Sequence, residues 1–110
     1  RGLSGRESLE PRRGMLFTSR FGSAPTIWMK GMLISLDLVW ISWECVVVEI
    51  TADTPAPIEG TVDSELPRYD VPSASHVFEI GAGEASASGV QVGDEVRFMG
   101  LAGEAEGLCE

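Results

Sequence analysis

The sequence is poor in the residues that build metal sites and nucleophilic sites. It holds one histidine, His76, and two cysteines, Cys45 and Cys109. Two cysteines are too few for a disulfide framework, and one histidine with two separated cysteines lacks the spacing of a zinc site. A Cys–His catalytic pair needs its members within hydrogen-bond reach, and nothing in the sequence brings Cys45 and His76 together. We therefore expect no metal, no cofactor and no such nucleophile, and the redox compartment stays open.

Long apolar runs are also missing. Lys30 and Asp37 interrupt the most apolar part of the chain. Its uninterrupted apolar segments are far shorter than a bilayer-spanning helix, which needs about 20 residues. No secretory signal is recognisable in the sequence. We expect no membrane span, and the cellular compartment stays unknown.

Positive charge is scarce and unevenly placed. The first thirty residues hold six of the eight basic residues against Glu7 and Glu10, a balance of +4, which leaves −13 for the rest of a chain whose net charge is −9. Phosphate binding needs a broad basic face. This distribution excludes general affinity for nucleic acid and favours charges that are simply solvated.

What the chain does have is a concentration of large apolar residues in its middle. Residues 33–41 alternate in the manner of a β-strand, and the run 45–50 is rich in β-branched residues. We predict two adjacent strands joined by a tight turn near Trp43 and Glu44. Gly31 separates this pair from a further extended segment at 27–30, because an isolated glycine in a strand pattern marks a bulge or a break.

The remaining patterns complete a mainly β prediction for a single domain. Gly89 lies where the left-handed residue after a helix is expected. Proline and carboxylates at 51–70 indicate a long loop. Residues 100–110 are Gly, Ala and Glu with little to bury, so we predict a domain over 1–99 and an acidic tail that frays over 100–110. The other predicted elements are strands at 15–17, 76–80 and 95–99 and a short helix at 82–88.

Taken in order, many of these segments resemble domain-of-unknown-function family 192, an uncharacterised conserved domain of bacteria and archaea. The resemblance implies a β-sandwich or barrel of jelly-roll type with one or two short helices, and it implies no established activity. Family members are often exported, which makes an extracytoplasmic location one option. The residues that carry the resemblance are Arg1-Gly2-Leu3, Arg6-Glu7-Ser8-Leu9, Gly14-Met15-Leu16-Phe17, Trp28-Met29-Lys30, Ile34, Leu36-Asp37, Val47-Val48-Glu49-Ile50, Pro67, Tyr69, Val77, Glu79-Ile80, Ala82-Gly83, Gly89-Val90 and Val92-Gly93-Asp94.

One departure from the family pattern bears on assembly. The first strand of the family, which precedes the Arg1-Gly2-Leu3 segment, is absent from this chain. An edge left without that strand exposes unpaired backbone groups, which invite pairing with another chain. We therefore predict a homo-oligomer formed through an exposed sheet edge.

The candidate ligand-binding residues are Trp28, Lys30, Asp37 and Tyr69. Lys30 and Asp37 are the only charges inside the central stretch, and if they meet at a cleft Lys30 could anchor an anion whose binding Asp37 would tune. The alternative is a structural ion pair, or two side chains that reach water separately. Trp28 could offer a stacking face to a sugar or an aromatic ligand, or it could belong to the core. Tyr69 joins them as one of the residues that carry the resemblance.

These residues favour a non-enzymatic module that binds a small ligand or a protein partner near Trp28, Lys30 and Asp37. Two alternatives stay open. The first is an enzyme of unknown reaction that uses Lys30 and Asp37 as its polar pair, which requires polar groups to converge in a concave pocket. The second is a structural or assembly domain, which would enclose its tryptophans and present an apolar patch for contact.

Overall fold

The computed structural model describes residues 2–110; Arg1, the first residue of the predicted domain, lies outside them. Within this range the chain forms a four-stranded antiparallel sheet in the order β1-β6-β3-β4 and a two-stranded antiparallel sheet of β2 and β5. The strands are β1 (Gly14–Thr18), β2 (Ile27–Trp28), β3 (Leu36–Ile41), β4 (Val47–Thr54), β5 (Arg68–Tyr69) and β6 (His76–Gly81); the helix is α1 (Glu84–Ala87), with 3-10 turns at Asp63–Glu65 and Gly103–Ala105. The mainly β prediction is confirmed, whereas these open sheets do not confirm the jelly-roll topology.

The predicted central hairpin is present as β3 and β4. Its turn closes through the amide of Cys45, which donates to the carbonyl of Ser42 at 2.8 Å. Cys45 adopts a positive φ of 66° although it is not glycine. β4 begins at Val47 and continues to Thr54, and β5 lies at Arg68–Tyr69, so the predicted loop at 51–70 was wrong over its first four residues and at 68–69.

The sheet buries apolar side chains on both of its faces, because the small sheet with its loops covers one face and α1 with the C-terminal segment covers the other. Leu36, Leu38 and Trp40 face the main core, which also receives apolar residues of the small sheet and its flanking loops. Val39 and Ile41 face a second, smaller cluster beneath α1 and the C-terminal segment. All six residues of β3 are buried. This double burial explains why five of the six residues of β3 are apolar.

Near the C terminus the structure differs from one prediction and contains a bond that the sequence did not predict. The segment predicted as a strand at 95–99 forms only an isolated bridge between Val46 and Glu95. Cys45 and Cys109, expected to belong to no disulfide framework, are joined to each other by a disulfide. A pairing of two distant cysteines has no local sequence signal, because it depends on where the chain returns.

Residues 100–110 contact the body of the protein at several points. Leu108 is buried, and Arg20 Nη2 donates to the carbonyl oxygens of Glu104 at 2.9 Å and Glu106 at 2.7 Å. The amide of Phe98 donates to the carbonyl of Cys109. The division into a domain at 1–99 and a frayed tail stays a prediction, which backbone mobility in solution would test.

Candidate functional site

Three of the four predicted ligand-binding residues lie on or beside the two-stranded sheet. Tyr69 pairs with Ile27, and Trp28 pairs with Arg68 across the strands. The guanidinium carbon of Arg68 lies 3.9 Å from the centroid of the Trp28 ring, and Lys30 Nζ lies 5.2 Å from it. Trp28 is therefore a half-buried ring flanked by two cations, an arrangement that the π-face stabilises.

Lys30 also forms an ion pair at the surface. Its Nζ donates to Asp63 Oδ2 at 2.8 Å, and both side chains are more than half exposed (54% and 55%). Exposed pairs of this kind contribute little to stability and exchange readily with water or another partner. Lys30 can therefore turn to a ligand anion at small energetic cost.

Asp37, the fourth candidate, lies elsewhere and has a structural role. Its carboxylate is buried and accepts hydrogen bonds from the backbone amides of Asp53 (2.8 Å), Gly83 (3.1 Å) and Ala85 (3.0 Å). These bonds join β3 to the end of β4 and to the start of α1, where amides have no partner within the helix. The condition for an anion anchor tuned by Asp37, that the two side chains meet at a cleft, is not met: Lys30 pairs with Asp63, and the Asp37 carboxylate is engaged by three backbone amides.

A cleft of about 230 Å³ lies beside Trp28 and Lys30, between the small sheet and one face of the large sheet. Its walls are mainly apolar. Glu79 of β6 also lines it, with a side chain that is only 6% exposed. The full lining is Gly2, Leu3, Phe17, Pro25, Thr26, Ile27, Trp28, Lys30, Met32 and Glu79. The cleft thus combines an aromatic ring, an ammonium group and a buried carboxyl group.

Glu79 is a site residue that the sequence reasoning missed. It shares a face of β6 with Val77, which points into the main core, and its neighbours across the sheet are Met15 and Leu38. A glutamate on the apolar face of a strand was the available signal. Burial raises the pKa of the Glu79 carboxyl, because desolvation disfavours its charged form.

His76, at the first position of β6, is another buried polar residue. It is fully buried, and neither ring nitrogen has a hydrogen-bond partner among the described residues. Its ring lies 5.5 Å from that of Phe98, edge to face, and 6.4 Å from that of Trp43. Burial lowers the pKa of His76, so the imidazole is held neutral within an aromatic setting.

Two features are absent from the described part of the chain. No group of three or more His, Cys, Asp or Glu side chains within residues 2–110 is placed to hold a metal ion. No helix in the same range is long and apolar enough to cross a membrane.

Comparison with known proteins identifies the family of this chain. The sequence profile of domain-of-unknown-function family 192, described as an uncharacterised ACR, matches residues 1–98. The chain belongs to this family. The match ends before most of the C-terminal segment, so Cys109 lies outside it. No curated protein matches the chain.

Two solved structures are similar to this member of family 192. A protein of unknown function from Novosphingobium aromaticivorans DSM 12444 superposes with a TM-score of 0.71 at 28% identity, over 88% of this chain and 65% of that one. A Sinorhizobium meliloti 1021 protein named a "putative transcription regulator" superposes with a TM-score of 0.65 at 28% identity, over 86% of this chain and 68% of that one. This chain spans slightly less than two thirds of the Novosphingobium protein.

Proposed function

We propose that this protein is a non-enzymatic binding module that holds a small zwitterionic molecule in the cleft between Trp28, Lys30 and Glu79. The observation that carries the proposal is the buried carboxyl of Glu79 in the wall of a cleft that Lys30 also lines and whose other residues are mostly apolar. A buried carboxylate is costly unless a positive group compensates for it, and a ligand ammonium group would supply such compensation.

Lys30 suggests that the second charged group of the ligand is a carboxylate. A ligand carboxylate would compete with Asp63 for the Lys30 ammonium, in an exposed pair worth at most about 1 kcal/mol. The apolar walls of Ile27, Phe17 and Met32 would contact a small aliphatic or aromatic side chain. A volume of about 230 Å³ lies just below the usual range for drug-sized ligands, which suits a molecule of the size of a free amino acid.

The same geometry favours the binding module over the enzyme alternative. It required Lys30 and Asp37 to act as one polar pair, but the Asp37 carboxylate is engaged by three backbone amides. A structural role for Asp37 also leaves Glu79 as the acidic group of the cleft.

Three matched probes test the binding proposal by nuclear magnetic resonance. L-Leucine carries both charged groups, leucinamide lacks the carboxylate, and 4-methylpentanoate lacks the amine. We expect leucine to shift the Trp28 indole resonance and to bind more tightly than either analogue. If none of the three shifts that resonance, the proposed ligand class is wrong.

Substitution of Glu79 supplies an independent readout. Glu79→Gln should abolish leucine binding and, without ligand, should raise the free energy of unfolding at pH 7, because it removes the cost of burying a carboxylate. Since the folded pKa of Glu79 is raised, the wild-type protein should lose stability as pH rises above about 4.5, whereas the variant should lose less. Glu49→Gln, on the exposed side of β4, is the matched control. A glutamine variant that binds leucine normally would contradict the assignment.

We also propose that the protein self-associates through the outer edge of β1. β1 (Gly14–Thr18) pairs on one side with β6 and carries no charge or proline that would blunt its other side. β4, the strand at the opposite edge of the four-stranded sheet, in contrast carries two charged residues, Glu49 and Asp53. Light scattering at micromolar concentration should give a dimer mass, and Thr18→Lys should weaken the dimer more than Glu49→Lys. A monomeric wild-type protein would refute this proposal.

A further inference from the structure

A second, larger concave surface lies on the opposite face of the four-stranded sheet, remote from the cleft of Glu79. It is an open groove of about 580 Å³. Val39 and Phe78 belong to its sheet side, and Phe98 and Leu101 of the C-terminal segment belong to its other wall. Leu101 lies beyond the residues that match family 192.

Charge is present in the groove lining as two arginines and one glutamate. Arg12 and Arg97 both line the groove, and neither guanidinium makes a hydrogen bond or an ion pair with any residue in the range 2–110. Glu84 also lines it, but its Oε1 already accepts the backbone amide of Arg12 at 3.1 Å. In a chain of net charge −9, two uncompensated guanidinium groups beside an apolar surface are complementary to a single anionic group attached to an apolar body.

We propose that this groove binds a soluble amphiphile with an unbranched alkyl chain and one carboxylate, a molecule of the fatty-acid class. The alkyl chain would lie against Val39, Phe78 and Phe98, where it gains the free energy of leaving water. The carboxylate would remain near the solvent, between Arg12 and Arg97. This proposal is independent of the leucine site, because the two sites share no lining residue.

Titration calorimetry with octanoate, decanoate and dodecanoate, each kept below its micelle concentration, measures both parts of the proposal. Each added methylene buried in the groove should tighten binding about four-fold. Dodecanol, which has the chain without the charge, should bind about 25-fold more weakly than dodecanoate, because it pairs with neither arginine. Absence of dodecanoate binding by the folded protein would overturn the proposal.

Substitutions then locate the site. Arg12→Gln and Arg97→Gln should each weaken dodecanoate about five-fold while leaving dodecanol unchanged, whereas Arg13→Gln, exposed and outside the groove, is the charge-matched control. Ser88→Trp, at an exposed position on the rim, should block the groove and abolish binding of both ligands. If Ser88→Trp and the two arginine variants leave dodecanoate binding unchanged, the ligand binds elsewhere and the assignment is overturned.

Two other occupants are distinguished in the same experiments. A wild-type dimer that Ser88→Trp converts to monomer, with no dodecanoate bound, would assign the groove to a second copy of the chain. Retention on vesicles of anionic phospholipid without binding of free dodecanoate would assign it to a membrane surface. Either result would overturn the proposal.

Discussion

The disulfide between Cys45 and Cys109 gives the most quantitative prediction. It closes a loop with a sequence separation of 64 residues. Cross-linking such a loop removes conformational entropy from the unfolded chain, by about 14 to 15 cal/mol/K in the chain-entropy treatment, which is about 4 kcal/mol at 25 °C. A domain of this size has a free energy of unfolding of about 5 to 15 kcal/mol, so the disulfide would supply a large share of it.

The test is a Cys45→Ala/Cys109→Ala double variant, compared with the oxidised wild-type protein in urea and followed by tryptophan fluorescence. We expect the free energy of unfolding to fall by about 4 kcal/mol. A reducing agent should produce a similar fall in the wild-type protein and no change in the double variant. That comparison separates the bond from any other effect of the reductant. A loss below about 1 kcal/mol, or two free thiols in the untreated protein, would refute the reasoning.

Three further predictions concern buried side chains. Trp40 is fully buried and its Nε1 donates to Thr51 Oγ1 at 2.9 Å, so Trp40→Ala should cost about 3 to 5 kcal/mol of unfolding free energy; a loss below about 1 kcal/mol would mean that the ring lies outside the core. Asp37→Ala leaves three backbone amides without their acceptor and should cost about 3 kcal/mol or more in urea unfolding, whereas an undiminished stability would contradict its structural role. The folded pKa of His76 is lowered, so the folded state binds fewer protons than the unfolded chain, and stability should be complete above pH 6.5 and fall as pH drops below it. His76→Leu should flatten this acid limb of the stability curve, and an unchanged limb would assign the effect to other groups.

The sequence was sufficient to predict features that depend on residues close together along the chain. The alternation of Leu36, Leu38 and Trp40 predicted a strand with one face in the core, because successive side chains of a strand point to opposite faces. Gly89 marked the end of the short helix, and it has the expected positive φ of 74°. The family was also recognisable from residues spread along the chain, and its profile matches residues 1–98.

The partners of the polar side chains were decided only by the tertiary structure. Asp37 meets the amides of Gly83 and Ala85, 46 and 48 positions further along the chain, and Cys45 meets Cys109 across 64. The candidate cleft likewise depends on β6 placing Glu79 near the chain around Trp28. Such distances carry no periodic signal, since they depend on strand order and on the path of the loops. Composition and alternation could therefore predict a β domain, but the choice between Asp37 and Glu79 as the acidic group of the site required the packed sheets.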